Sequence, residues 1–129
     1  MSTTEISAEL AKGWIEAWIR MDMEWLHRHL SPDFVHVSPF GRLEGRDKYL
    51  ETVEPMARKS VNELIINDVV ASGNQAAIRF VNRTPGGDVD SCDWIQIQDG
   101  KILEIHSFYD SFRLRKVLSS DEQNSLDDS

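Results

Sequence analysis

Near residue 60 the hydrophobic period of this chain changes, and it does not change back. Before that point apolar residues recur every three or four positions; from Glu63 to Leu114 they alternate every second position. Four long strand-like segments follow one another there: ELIINDVVAS, QAAIRFVNRT, DVDSCDWIQIQ and KILEIHSFYDSFRL. They are separated by Gly73-Asn74, Pro85-Gly86-Gly87 and Asp99-Gly100. Helices gathered at one end and strands at the other indicate an α+β fold, because alternating α/β folds interleave the two. Four long antiparallel strands can curl, and three N-terminal helices can cover the concave face. The expected shape is a cone with a pocket inside it.

The helical half reads in more detail. Ser2 with Glu5 three residues on is a capping box. Ile6, Leu10, Trp14, Ala17 and Met21 then form the stripe of an amphipathic helix, weakened but not ended at Gly13. Asp22 caps a second short helix with Met23, Leu26 and Leu30 on one side, and Ser31-Pro32 stops it. DFVHVSP is a short strand, turned by Pro39-Phe40-Gly41 into RLEG. A third helix starts near Arg46 with Tyr49, Leu50 and Val53 at helical spacing, and Pro55 should kink or end it.

The chain's bulk properties exclude several functions. At 129 residues it suits one domain with a real core, residues 1–118, followed by an acidic tail, residues 119–129, expected to be disordered. That tail carries four of the 22 acids and no base, so the net charge of −8 overstates the charge of the body. No basic stripe suggests a nucleic-acid reader, and no apolar run is long enough to span a membrane. The N-terminus lacks the basic start and apolar stretch of a signal peptide, so the cytoplasm is the expected compartment. A lone cysteine, Cys92, allows no internal disulfide and no cysteine zinc cluster, and with no base beside it a nucleophilic role is not expected. His27 and His29 lie two apart on a helix and point to different sides. With no three-ligand set visible, neither a metal nor any other cofactor is expected.

One segment bears most on function. In DWIQIQ, Ile95 and Ile97 fall on one strand face, and Asp93 points the same way, a carboxylate leading a row of core residues. Two closures of the Asp99-Gly100 hairpin compete. A two-residue turn pairs Gln98 with Lys101 and sets Asp93 across from His106. A three-residue loop with Gly100 as a bulge pairs Ile97 with Lys101. It then groups Leu103, Ile105, Ser107 and Tyr109 with Asp93, and sends His106, Phe108 and Asp110 outward. A one-residue slip swaps whole faces, so the bulged register, with its cleaner segregation, is the expected one. By the same alternation Ile78, Phe80 and Asn82 join Asp93 from the neighbouring strand. Trp14 can descend from the first helix, and His36 with Ser38 can enter from the first strand. FVHV is apolar on both faces, so the parity of that strand stays open.

A carboxyl in an apolar pocket has its pKa raised, and it can then act as a general acid or donate to an oxyanion. His36 is the best remaining base. Against this stands a structural role for Asp93, partnered by Trp14, His36 or the backbone.

The order of elements, the PFGRLEGRDKYLETV stretch and the closing DWIQIQDGKILEIHSFYD resemble the SnoaL-like branch of the nuclear transport factor 2-like superfamily, from roughly Glu5 to Leu114. That superfamily includes ketosteroid isomerases, limonene-type epoxide hydrolases, polyketide cyclases and non-catalytic domains. The resemblance implies an apolar small-molecule pocket serving isomerisation, hydration or dehydration, or only ligand binding or interaction. The isomerase pattern of a first-helix tyrosine, a first-strand aspartate and a later acid falls on Trp14, Ser38 and Asp93, and only the last matches. The epoxide-hydrolase aspartate falls on Ser107, and Asp110 comes three residues too late. Trp94, Phe108, Arg79 and Val81 would give the convex face an apolar patch ringed by charge, and a homodimer through that face is expected.

Overall fold

The chain is described by a computed structural model at residues 1–60, 63–84 and 86–112. The proposed acidic tail, the last residues of the proposed domain (113–118) and Pro85 of the Pro85-Gly86-Gly87 turn lie outside those residues. Three helices, α1 (Thr3–Arg20), α2 (Met23–His29) and α3 (Arg46–Ser60), pack against one six-stranded sheet. Its strands are β1 (Leu30–Ser38), β2 (Gly41–Glu44), β3 (Glu63–Ser72), β4 (Gln75–Thr84), β5 (Gly87–Gln98) and β6 (Lys101–Tyr109). They lie in the order β2-β1-β6-β5-β4-β3, and β1 runs parallel to β6 while every other neighbouring pair is antiparallel. The sheet is curled and not closed, so the fold is α+β as the change of period implies. No helix among the described residues is long and apolar enough to cross a membrane.

Local chemistry sets the helix ends. Ser2 Oγ accepts from the Glu5 amide and donates to the Glu5 carboxylate. Asp22 accepts from the Trp25 amide at the start of α2. Gly13, which only costs helix propensity when read in sequence, has a tertiary purpose. A Cβ there would overlap the Trp25 indole, so the glycine lets α2 lie directly on α1.

Two expectations are corrected. The helix does not end at Pro55 but continues to Ser60. Proline forfeits its own amide bond, yet burial of Met56 and Ala57 and the Arg58–Glu54 ion pair support the turn that follows. Leu30, assigned to the second helix by its spacing, instead opens β1, where it pairs with Ile102 and is fully buried.

The β5–β6 hairpin combines features of both registers. It closes by the two-residue turn, with Gln98 opposite Lys101 and positive φ at both Asp99 (53°) and Gly100 (74°). That conformation matches strand twist and suits an Asp-Gly pair. The bulge comes later. Ile97 faces Ile102 whereas Gln96 faces Glu104, so Leu103 is the extra residue. The expected three-residue loop is therefore absent, and Ile102, not Leu103, takes the core position; Leu103 is left half-buried. Beyond the bulge the expected faces hold. Ser91, Asp93, Ile95, Ile105 and Ser107 are buried, whereas Trp94, His106 and Phe108 lie on the convex side.

Candidate functional site

The concave row divides along β5. Ile95 and Ile97 are sealed against Ile102, Ile105 and α1, forming a closed floor. Above them the helices do not fill the space. A cavity of about 160 Å³ opens between α1, α3 and the strands. Its wall includes Asp93, His36, Trp14, Ser38, Phe80, Asn82, Ser107 and Tyr109. Among the residues expected around it, Ile78 is the exception. It pairs with Asp93 across β4 and β5 but is fully buried, belonging to the sealed core and not to the wall. The parity left open for β1 is resolved by its partners: Phe34 is buried beneath, His36 and Ser38 line the cavity, and Val37 pairs with His106.

Asp93 is 3% exposed. Its Oδ2 accepts a hydrogen bond from Trp14 Nε1 at 2.7 Å, while its Oδ1 is buried with no hydrogen-bond partner. Burial pushes the carboxyl up to about 6, with the Trp14 and Ser107 donors opposing the rise. The Ser107 hydroxyl is near enough to favour the charged carboxylate, but its hydrogen-bond geometry is with His36 Nε2, at 2.9 Å. His36 is half-buried with the cavity on its open side. Burial, and then repulsion from His106 across the sheet, lower its imidazole to about 4, so it is neutral at physiological pH. Asp93 titrates closer to neutrality, and His36 is the weak base.

Sequence reasoning missed Tyr49. Its spacing with Leu50 and Val53 reads as an ordinary buried helix stripe, and no residue-level signal separates a wall position from a core one. In the structure its ring is 2% exposed, 5.0 Å from His36 and 6.1 Å from Trp14, and the residue lines the cavity. Burial, then the charge of Asp93 and that of Tyr109, hold the phenol well above its usual value, so it stays an O–H donor. Met56 and Ala57, beyond the proline expected to kink or end the helix, also line the cavity. Ser91 falls on the concave row by the same alternation that singled out Asp93.

Three other residues fall outside the site. Asp110 is exposed and accepts from the Phe112 amide. His106 contacts Glu104 on the convex side. The Cys92 thiol is pushed up by burial and then by Asp93, which disfavours the thiolate. Among the described residues no group of three or more histidine, cysteine or carboxylate side chains could hold a metal.

The SnoaL-like domain profile matches residues 11–105. This chain belongs to the SnoaL-like domain family. Solved structures share its architecture. An NTF2-like protein of unknown function from Cytophaga hutchinsonii is 19% identical and superposes with a TM-score of 0.74, over 88% of this chain and 96% of that one. A candidate ketosteroid isomerase from Kribbella flavida is 19% identical, with a TM-score of 0.75 over 85% of this chain and 82% of that one. An LEH-like epoxide hydrolase from M. tuberculosis is 18% identical, with a TM-score of 0.73 over 89% and 90%. Identities this low carry the fold alone. No curated protein sequence matches significantly.

Proposed function

We propose that this SnoaL-like domain binds a small, uncharged, apolar molecule in its cavity and that Asp93 moves a proton on it. The observation that carries the reading is the Asp93 carboxyl itself. One oxygen is anchored by Trp14, and the other is buried in the cavity wall without a partner. An unpaired buried acceptor costs about 1–3 kcal/mol, and a ligand that supplies a donor removes the penalty. A carboxyl with a pKa of about 6 can accept a proton at neutral pH and give it back, as general acid–base catalysis requires. The Tyr49 hydroxyl suits a developing oxyanion on the same molecule, and neutral His36, bonded to Ser107, positions the wall beside it. Moving a proton from one carbon to another leaves the substrate's oxidation state unchanged and consumes no co-reactant, so no cofactor enters the proposal.

The test is hydrogen exchange in heavy water with a panel of small uncharged ketones and enones, followed by mass spectrometry. The wild type should label carbons next to the carbonyl at a rate that rises with pH through about 6, and Asp93→Asn should lose roughly 10²–10⁴-fold. Saturable binding without exchange would leave a ligand-binding domain with no chemistry.

The convex face supports a second proposal, a homodimer. Trp94 and Phe108 are 41% and 59% exposed on neighbouring strands, near the Arg79–Asp68 ion pair. Exposed aromatic patches of this kind mark association. Sedimentation showing only monomer at micromolar concentration would contradict it.

A further inference from the structure

Two buried side-chain oxygens among the described residues have no hydrogen-bond partner, Asp93 Oδ1 and Asn82 Oδ1, and both residues line the same cavity. Buried polar groups elsewhere in a fold are almost always satisfied, so two side-chain acceptors in one wall that no protein group satisfies mark that wall as able to receive hydrogen-bond donors. Their spacing follows from register. Asp93 sits opposite Ile78, and Asn82 lies four residues further along β4, opposite Val89. Four residues of strand span roughly 13 Å, and the concave curl brings the side-chain ends closer than their Cα atoms. Residues 78, 80 and 82 share one face, as do 89, 91 and 93, so both orphans face the same side of the sheet. Between them the wall is mostly apolar, with Phe80, Leu64, Val53 and Met56. Ser91 lies midway, but its hydroxyl is directed at the Val89 carbonyl.

We infer that the cavity's ligand is an elongated neutral molecule that meets Asp93 at one end and carries a hydroxyl held by Asn82 at the other. The inference rests on the reading that the cavity takes a ligand against Asp93, and it specifies that ligand's second polar group. A hydroxyl both donates and accepts, so it satisfies the Asn82 amide in either orientation. Among the described residues no lysine or arginine lines the cavity, and the Asp93 carboxylate repels anions, so carboxylate and phosphate ligands do not fit. Asn82 is on this account a specificity-determining residue. It selects molecules that carry the distal hydroxyl over those that are apolar at that end.

Two rigid rods of equal width test this: 4,4′-biphenol, with a hydroxyl at each end, and 4-phenylphenol, with one. Calorimetric titration of the wild type should give 4,4′-biphenol about a tenfold advantage, the worth of one net hydrogen bond at its upper range. Asn82→Leu should erase that advantage, and Asp93→Asn should weaken both compounds alike. If the leucine variant folds poorly, side-chain amide NMR of the wild type gives the same answer. The Asn82 amide proton signals should move downfield, as on hydrogen bonding, with 4,4′-biphenol and not with 4-phenylphenol. Equal affinities in the wild type, an advantage that survives Asn82→Leu, or binding of neither compound would each overturn the inference. Exchange chemistry failing while the tenfold preference holds would sink proton transfer and leave the Asn82 anchor standing.

Discussion

The inward row of β5 has two halves that differ by one step of the strand and by everything else. At Ile95 and Ile97 the helices and β6 close completely, and both residues are in the sealed core. At Asp93 and Ser91 the same face of the same strand borders open space. The β4–β5 register runs unbroken past Asp93 and Ile95, and the β5–β6 bulge falls beside Ile97 in the closed half, so the opening follows from what the helices offer. Trp14 and Tyr49, their rings 6.1 Å apart, wall the open half, whereas aliphatic side chains fill the closed one. One half therefore contributes stability, and the other tolerates an acid that the fold itself would be easier without.

The comparison can be broken most forcefully at its closed end. Ile95→Ala removes a fully buried side chain and should cost about 2–5 kcal/mol in chemical denaturation. A cost below about 1 kcal/mol would mean that the floor is as loose as the cavity.

At the open end the effect has the opposite sign and depends on pH. Asp93 titrates near 6 in the folded protein against an ordinary 3.8. The folded state therefore holds this proton more tightly than the unfolded chain, and stability falls as pH rises from about 4 through about 6. Asp93→Asn removes that loss. The variant should match the wild type near pH 4 and exceed it by about 3 kcal/mol near pH 8. A melting temperature that drops at every pH would instead mark Asp93 as a structural carboxylate.

His36 gives the mirror image. Its folded value of about 4 lies below the ordinary 6.5, so stability is lost as pH falls from about 6.5 toward 4. In the wild type the two slopes oppose each other over this window. His36→Gln should expose the Asp93 slope alone and gain up to about 3 kcal/mol on the wild type near pH 4, less in proportion as water enters the cavity. A smaller effect sharpens the picture of the lid. Gly13→Ala drives a methyl into the Trp25 ring and should cost about 1–3 kcal/mol, although the change favours helix in isolation.

How far the sequence reaches follows the same division. The change of period, the Ser2 and Asp22 caps and the glycine turns make the α+β layout legible, because each is a local rule. Strand alternation does the same for the inward faces of Asp93, Ile95, Ile97, Ile105 and Ser107. Leu103 escapes that rule because tight turn and bulge read as alternatives in sequence, whereas the hairpin uses both. Ile78 reads as a wall residue because alternation gives the face of a residue and not what covers it. Tyr49 stays hidden for the complementary reason: a cavity is the absence of a neighbour, and spacing along a helix does not encode it. The direction of the Asp93 shift is accessible from an acid heading an apolar row. The lowering of His36 depends on packing that brings β1 against β6 in parallel, a pairing between segments distant in sequence.

Everything proposed for the cavity turns on Asp93 being held against its own electrostatic preference, with Oδ1 satisfied by no protein group. The most direct measurement is a carbon-13 NMR titration of the Asp93 side-chain carboxyl in the ligand-free protein. A midpoint of about 6 is the predicted result. A midpoint at or below about 4, the ordinary aspartate value, would contradict the claim and make Asp93 a satisfied structural acid.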